Sequence, residues 1–255
     1  LDGKKGIVAA YNYETGELLC SVSSPNYDIE DKPSAEEIDE NKNGKYDGIY
    51  LNRLIDGLYT PGSTFKIITT ASAVENIPDI SSFTYKCTGE EEIDGVKVTC
   101  PSVHGKMDFE ECFANSCNCA YAVLSQKLGK EKLELTASEF GFGKSFSFGK
   151  GETAISKFDL FEATEADIAW ASVGQYTTLV NPYHMLTVAG AIANVTLVWF
   201  ALSALLAVVS AAVIGLIYVP IFFLPLKTVA DKKAADKASG YKGAQKAAAT
   251  VKKLF

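Results

Sequence analysis

The chain has 255 residues, 47% of them hydrophobic and 22% charged, with a formal net charge of −7. This length and apolar content support one sizeable packed core and exclude a disordered chain or a small disulfide-stapled scaffold. Residues 1–194 hold 16 basic against 29 acidic side chains, whereas residues 227–255 hold eight Lys and two Asp, so the body is acidic and no nucleic-acid partner is expected of it.

Gly6–Asn12 and Leu18–Ser24 are β-rich runs on either side of Tyr13-Glu14-Thr15-Gly16-Glu17, a pattern that predicts a hairpin. The polar, punctuated stretch from Pro25 to Gly48 reads as a long loop with a short helix around Ala35–Glu40. Within it Asp39, Asn41, Asn43 and Gly44 copy half of a calcium loop, but Tyr50 stands where the bidentate Glu belongs, so calcium is not expected. After Pro61-Gly62, the spacing of Phe65, Ile67, Ile68, Ala71 and Val74 predicts a core helix over Ser63–Val74. Cys87 and Cys100 bracket a segment that reads as a hairpin, and the two thiols could be bridged or free. Further helices are predicted near Phe109–Leu128, Glu131–Phe140, Glu165–Val173 and Pro182–Asn194, with turns such as Gly141-Phe142-Gly143 between them.

Cys112, Cys117 and Cys119 are close in sequence, yet the only histidines are His104 and His184 and no paired Cys-x-x-Cys occurs. These spacings predict no metal site, and no cofactor is expected. Val195–Leu226 contains no charged residue in 32 positions, longer than the roughly 20 apolar residues that cross a bilayer. Trp199 and Tyr218 flank its core and eight Lys follow it. That predicts a transmembrane helix over 195–226, a basic Ala/Lys-rich tail over 227–255 on the cytoplasmic side of a cell membrane, and the domain 1–194 outside.

The strongest chemical signal is Ser63-Thr64-Phe65-Lys66. A Ser and a Lys three residues apart on a helix share one face, where the amine can take the hydroxyl proton. Ser147-Phe148-Gly149-Lys150 and Ser239-Gly240-Tyr241-Lys242 repeat the spacing, but only Ser63 follows a Pro-Gly turn and opens an apolar helix. The second element is Ser116-Cys117-Asn118, whose hydroxyl and amide could relay a proton and hold a substrate amide. Taken alone, Ser116 and Asn118 read as a turn or a helix start.

Together these motifs resemble the transpeptidase domain of penicillin-binding proteins, a superfamily marked by S-x-x-K, an S-x-N-like motif and K-T-G. The likeness extends from Ser24-Pro25-Asn26-Tyr27-Asp28 and Asn52-Arg53 through Tyr59-Thr60-Pro61-Gly62 and His104-Gly105 to Gly141-Phe142-Gly143, Gly174-Gln175 and Pro182, in the family's order. It implies an α+β fold, an antiparallel sheet with a helical subdomain. It also implies Ser63 as acylated nucleophile, Lys66 as general base, and Ser116 and Asn118 as the second-motif pair. The implied substrate is a peptidoglycan stem peptide ending in D-Ala-D-Ala, with β-lactams as its mimics and a cell-wall synthesis complex as the setting. A β-lactam sensor or class D β-lactamase shares Ser-Thr-Phe-Lys, but that group is expected to carry Val at the third position of its second motif, where this chain has Asn118.

Two features depart from the family. No Lys-Thr-Gly or Lys-Ser-Gly occurs, the nearest match being Lys227-Thr228-Val229, and Tyr176 replaces the Gly expected after Gly174-Gln175. The expectation is therefore a domain cut short, with an incomplete sheet and an opening hairpin whose apolar face is exposed. A non-catalytic truncated or chimeric membrane protein stays open as an alternative.

Overall fold

The computed structural model describes residue 1 and residues 4–194. The predicted membrane span and basic tail lie outside the described residues, among which no helix is long and apolar enough to cross a membrane.

The opening hairpin forms as expected. Strand β1 (Gly6–Tyr11) pairs antiparallel with β2 (Leu18–Ser24), and Gly6 lies opposite Ser24. Helix α1 (Ala35–Glu40) carries a capping box in which Ser34 accepts the Glu37 N–H and the Glu37 carboxylate accepts the Ser34 N–H, satisfying two of the orphan donors at its N-terminus.

At the centre lies α2 (Lys66–Asn76), entered through a 3₁₀ turn over Gly62–Phe65. It is surrounded by α4 (Asn118–Leu128), α5 (Lys130–Glu139), α6 (Glu165–Ser172) and a helix over 182–194, α7. Phe65, Ile68 and Ala71 pack with Ala137, Phe140, Phe142 and Val188, while Ala73 joins Leu124, Leu133, Leu160 and Ile168. The polar residues of α2 are buried yet partnered: Thr69 donates to the Ser172 carbonyl at 2.7 Å and Thr70 shares a short hydrogen bond with the Tyr121 hydroxyl. Helix α2 therefore cannot shift without breaking both apolar and polar contacts, which fixes whatever its first turn carries.

His184 on α7 is fully buried, 2.7 Å from Ser156 Oγ and 2.9 Å from the Phe140 carbonyl. Burial holds its ring neutral by pushing its pKa down to about 4. A neutral ring donates Nε2–H to the carbonyl and accepts the hydroxyl at Nδ1, so His184 ties α7 to the end of α5.

A second layer covers α4. Strand β3 (Thr84–Cys87) pairs with β6 (Gly105–Asp108), and between them β4 (Glu90–Ile93) and β5 (Val96–Thr99) form the hairpin expected inside the Cys87 to Cys100 interval. Its turn residues Asp94 and Gly95 both have positive φ, the requirement of a two-residue hairpin turn. The bridge between Cys87 and Cys100 is not formed, and all six cysteines are free thiols.

Val8, Leu19 and Val22 of the opening hairpin are 53%, 63% and 51% exposed. Among the described residues this hairpin is a two-stranded sheet, in keeping with the expected bare apolar face. It meets α7 at Gly190, where an added Cβ would stand 1.2 Å from the Tyr11 hydroxyl.

Candidate active site

One correction shapes the site. The single helix expected over Phe109–Leu128 is two, α3 (Phe109–Ala114) and α4, separated by Asn115, Ser116 and Cys117. The Ser116 N–H donates to the Phe113 carbonyl at 2.9 Å and the Cys117 N–H to the Cys112 carbonyl at 3.0 Å, the paired bonds of a Schellman C-cap. Ser116 occupies the left-handed position of that cap, with φ of 52°, where glycine is the usual occupant. Cys117 then caps α4, its Sγ accepting the Ala120 N–H at 3.4 Å. The helix break turns Ser116 and Asn118 toward α2.

There they meet the first motif. Lys66 Nζ lies 3.2 Å from Ser63 Oγ, 3.0 Å from Ser116 Oγ, 2.7 Å from the Ser116 carbonyl and 2.6 Å from Asn118 Oδ1. The structure thus unites all four residues named from the motifs. Asn118 is oriented by its Nδ2 donating to the Thr99 carbonyl at 2.9 Å, which turns Oδ1 toward the amine. Tyr121 closes the floor, its ring centroid 5.4 Å from Nζ.

The Lys66 residue is 1% exposed, and burial lowers its pKa from 10.5 to about 8, although the nearby thiols of Cys100, Cys117 and Cys119 act in the opposite direction. No neighbouring cation contributes to this shift; removal from water drives it. A neutral amine has two N–H donors and one lone pair. The Ser116 carbonyl and Asn118 Oδ1 can only accept, so they engage the two donors and leave the lone pair for a hydroxyl. Ser63, exposed at the surface end of the cage, supplies that hydroxyl. The arrangement can therefore draw a proton from Ser63 and expose an activated oxygen to solvent-side substrate.

The nucleophile's turn is braced from behind. The Gly62 N–H donates to the Gly174 carbonyl at 2.9 Å, and a Cβ on Gly174 would fall 2.0 Å from the Gly62 carbonyl oxygen. Tyr176, which stands where the family has Gly, adopts φ of 59° and so keeps a left-handed backbone. The chance copy of the motif at Ser147 and Lys150 is an exposed hairpin between β7 (Ser147–Phe148) and β8 (Gly151–Glu152), as its glycines suggest. The copy at Ser239 lies outside the described residues.

Beneath Ser116 and Asn118 lies a cluster that the spacings did not predict. Ligand atoms of Cys87, Cys100, His104 and Cys117 all fall within 4.8 Å of one another. The expectation of no metal site rested on the lack of closely paired cysteines, whereas the β3–β6 and β4–β5 pairings draw Cys87, Cys100 and His104 together and the start of α4 brings Cys117 to them. No linear pattern announces such a set. Tyr121 and Thr99 likewise carried no sequence signal, since their roles depend on the break before α4.

Comparison with known proteins points to one family. The family model described as penicillin binding protein transpeptidase domain matches residues 6–204. Stage V sporulation protein D of Bacillus subtilis (strain 168) is 31% identical over 195 residues, which cover 75% of this chain and 29% of that protein. Peptidoglycan D,D-transpeptidase PbpA of Mycolicibacterium smegmatis is 29% identical over 210 residues, covering 74% of this chain and 41% of the relative. Among solved structures, the penicillin G acyl-enzyme complex of penicillin-binding protein A from M. tuberculosis aligns with a TM-score of 0.63 at 26% identity, over 75% of this chain and 46% of that one. The chain thus spans less than half the length of these relatives.

Proposed function

The chain belongs to the penicillin-binding protein transpeptidase family, and from that premise we propose that it is a peptidoglycan D,D-transpeptidase acting through a Ser63 acyl-enzyme. The observation that carries this reading is the four-oxygen cage around Lys66, which leaves the amine's lone pair for a hydroxyl proton.

In the proposed reaction Ser63 Oγ attacks the carbonyl joining the two terminal D-alanines of a stem peptide as its proton passes to Lys66 Nζ. The C–N bond then breaks. The proton returns to the departing D-alanine amine through the Ser116 hydroxyl, 3.0 Å from Nζ. An amine of a neighbouring stem attacks the resulting ester, gives its proton to the same relay, and releases Ser63. A β-lactam would enter at the first step and leave Ser63 acylated. The family's Lys-Thr-Gly is absent from the sequence. On the charge pattern around 195–226, the domain belongs on the outer face of the cell membrane.

The test is reaction of the purified chain with a fluorescent penicillin, followed by mass spectrometry of the adduct. A stable adduct on Ser63 that is lost in Ser63→Ala supports the reading. Rapid release of hydrolysed drug would instead indicate a β-lactamase. No adduct would indicate a scaffold without catalysis, and labelling that persists in Ser63→Ala would refute the nucleophile.

A further inference from the structure

We propose that Cys87, Cys100, His104 and Cys117 bind one zinc ion, and that this ion clamps the turn carrying Ser116 and Asn118. The four side chains come from different places: the end of β3, the residue after β5, the residue before β6, and the N-cap of α4. Their donor atoms nevertheless lie within 4.8 Å of one another. Donors at about 2.0 to 2.3 Å from a tetrahedral zinc are roughly 3.3 to 3.8 Å apart. The Cys100 and Cys117 sulfurs are already 3.7 Å apart, so the cluster needs only a small contraction.

Buried free thiols by themselves are ordinary core residues, packing as small hydrophobes. A further observation points to a ligand. Nδ1 of His104 is buried without a hydrogen-bond partner, an arrangement that costs free energy unless something engages that nitrogen. The Gly89 N–H also points at the Cys87 sulfur, 3.4 Å away. Three sulfurs and an imidazole this close together suit zinc better than calcium or magnesium, which take oxygen ligands. With four protein donors the site is closed, so the ion would be structural and would not activate water.

The consequence reaches the active site because Cys117 lies between Ser116 and Asn118 in sequence and begins α4. Bound to zinc, its sulfur would anchor the left-handed turn from below, while Thr99, just before Cys100, holds the Asn118 amide from the side. Cys119, whose sulfur is 3.4 Å from Cys100, is directed to the Val98 carbonyl and stays outside the set.

The experiment is elemental analysis of the full chain after exhaustive dialysis, with cobalt titration of the metal-stripped wild type. The expected result is close to one zinc per chain, and thiolate-to-cobalt charge-transfer absorption with the strong visible bands of tetrahedral cobalt. Cys100→Ser and His104→Ala should each lower metal affinity by at least about 100-fold, since loss of an outer-shell partner alone costs 10- to 100-fold. Cys20→Ser, an exposed thiol on β2, should bind normally. Stripping the metal should lower the unfolding temperature of the wild type and leave that of Cys100→Ser unchanged. A wild type whose cobalt spectrum stays that of the hydrated ion overturns the proposal whatever the variants do, as does equal metal loss in Cys20→Ser.

Discussion

The two walls of the candidate site are built by different means. The wall bearing Ser63 and Lys66 is the entry to a helix embedded in the core, with Phe65 and Ile68 completely buried and Gly174 pressed against its turn. The wall bearing Ser116 and Asn118 is a helix break, held by two capping bonds, a side-chain amide on Thr99 and a group of thiols. Packing fixes the first and polar contacts fix the second. Wall one should therefore respond to changes of volume, and wall two to changes of backbone preference and hydrogen bonding.

The largest effect is expected where the walls meet. Lys66→Met fills the same space without a base, and the rate of Ser63 acylation by a β-lactam should fall by roughly 10² to 10⁴. Circular dichroism should show the helices retained. Next, Gly174→Ala tests the packed wall, since its Cβ would fall 2.0 Å from the Gly62 carbonyl oxygen. Overpacking of this kind destabilises by roughly 1 to 3 kcal/mol. Gly143→Ala is the control, because Gly143 also has positive φ but open space around its Cβ; urea unfolding of both separates the clash from the backbone strain. The smallest effect is expected in the second wall. Ser116→Gly should raise stability by about 1 kcal/mol in thermal unfolding, because the left-handed position no longer carries a Cβ, while acylation slows through loss of the hydroxyl. A loss of stability in Ser116→Gly would mean that the serine side chain, not the cap, holds the turn.

The same contrast governs what could be read in the sequence. Ser63 and Lys66 were legible because a spacing of three on a helix is a local property, and because the apolar period around Phe65 and Ile68 marks the helix as core. The opening hairpin, α1 and the β4–β5 hairpin were legible for similar local reasons. The break at Ser116 was legible only in part: Ser116 and Asn118 read as a turn or a helix start, yet neither Gly nor Pro marks the place and the apolar residues before and after it continue a helical pattern. Its signal lay in the polar run Asn115-Ser116 just past the last turn of α3, together with the Asp108 capping box that starts that short helix. The Cys87, Cys100, His104 and Cys117 cluster was illegible for a stronger reason. Its members are neighbours only through strand pairing and the helix break at Cys117, so no count along the chain can find it.

The central claim is that Lys66 works as a buried neutral base. In the folded chain it titrates near 8 against an ordinary 10.5, so between those values the native state holds fewer protons than the unfolded one, and stability should rise with pH across that window. The most direct test is the rate constant for β-lactam acylation of Ser63 as a function of pH. It should climb about tenfold per pH unit at low pH and level off above a midpoint near 8. A midpoint near 10.5, or a rate independent of pH through this range, would contradict the account.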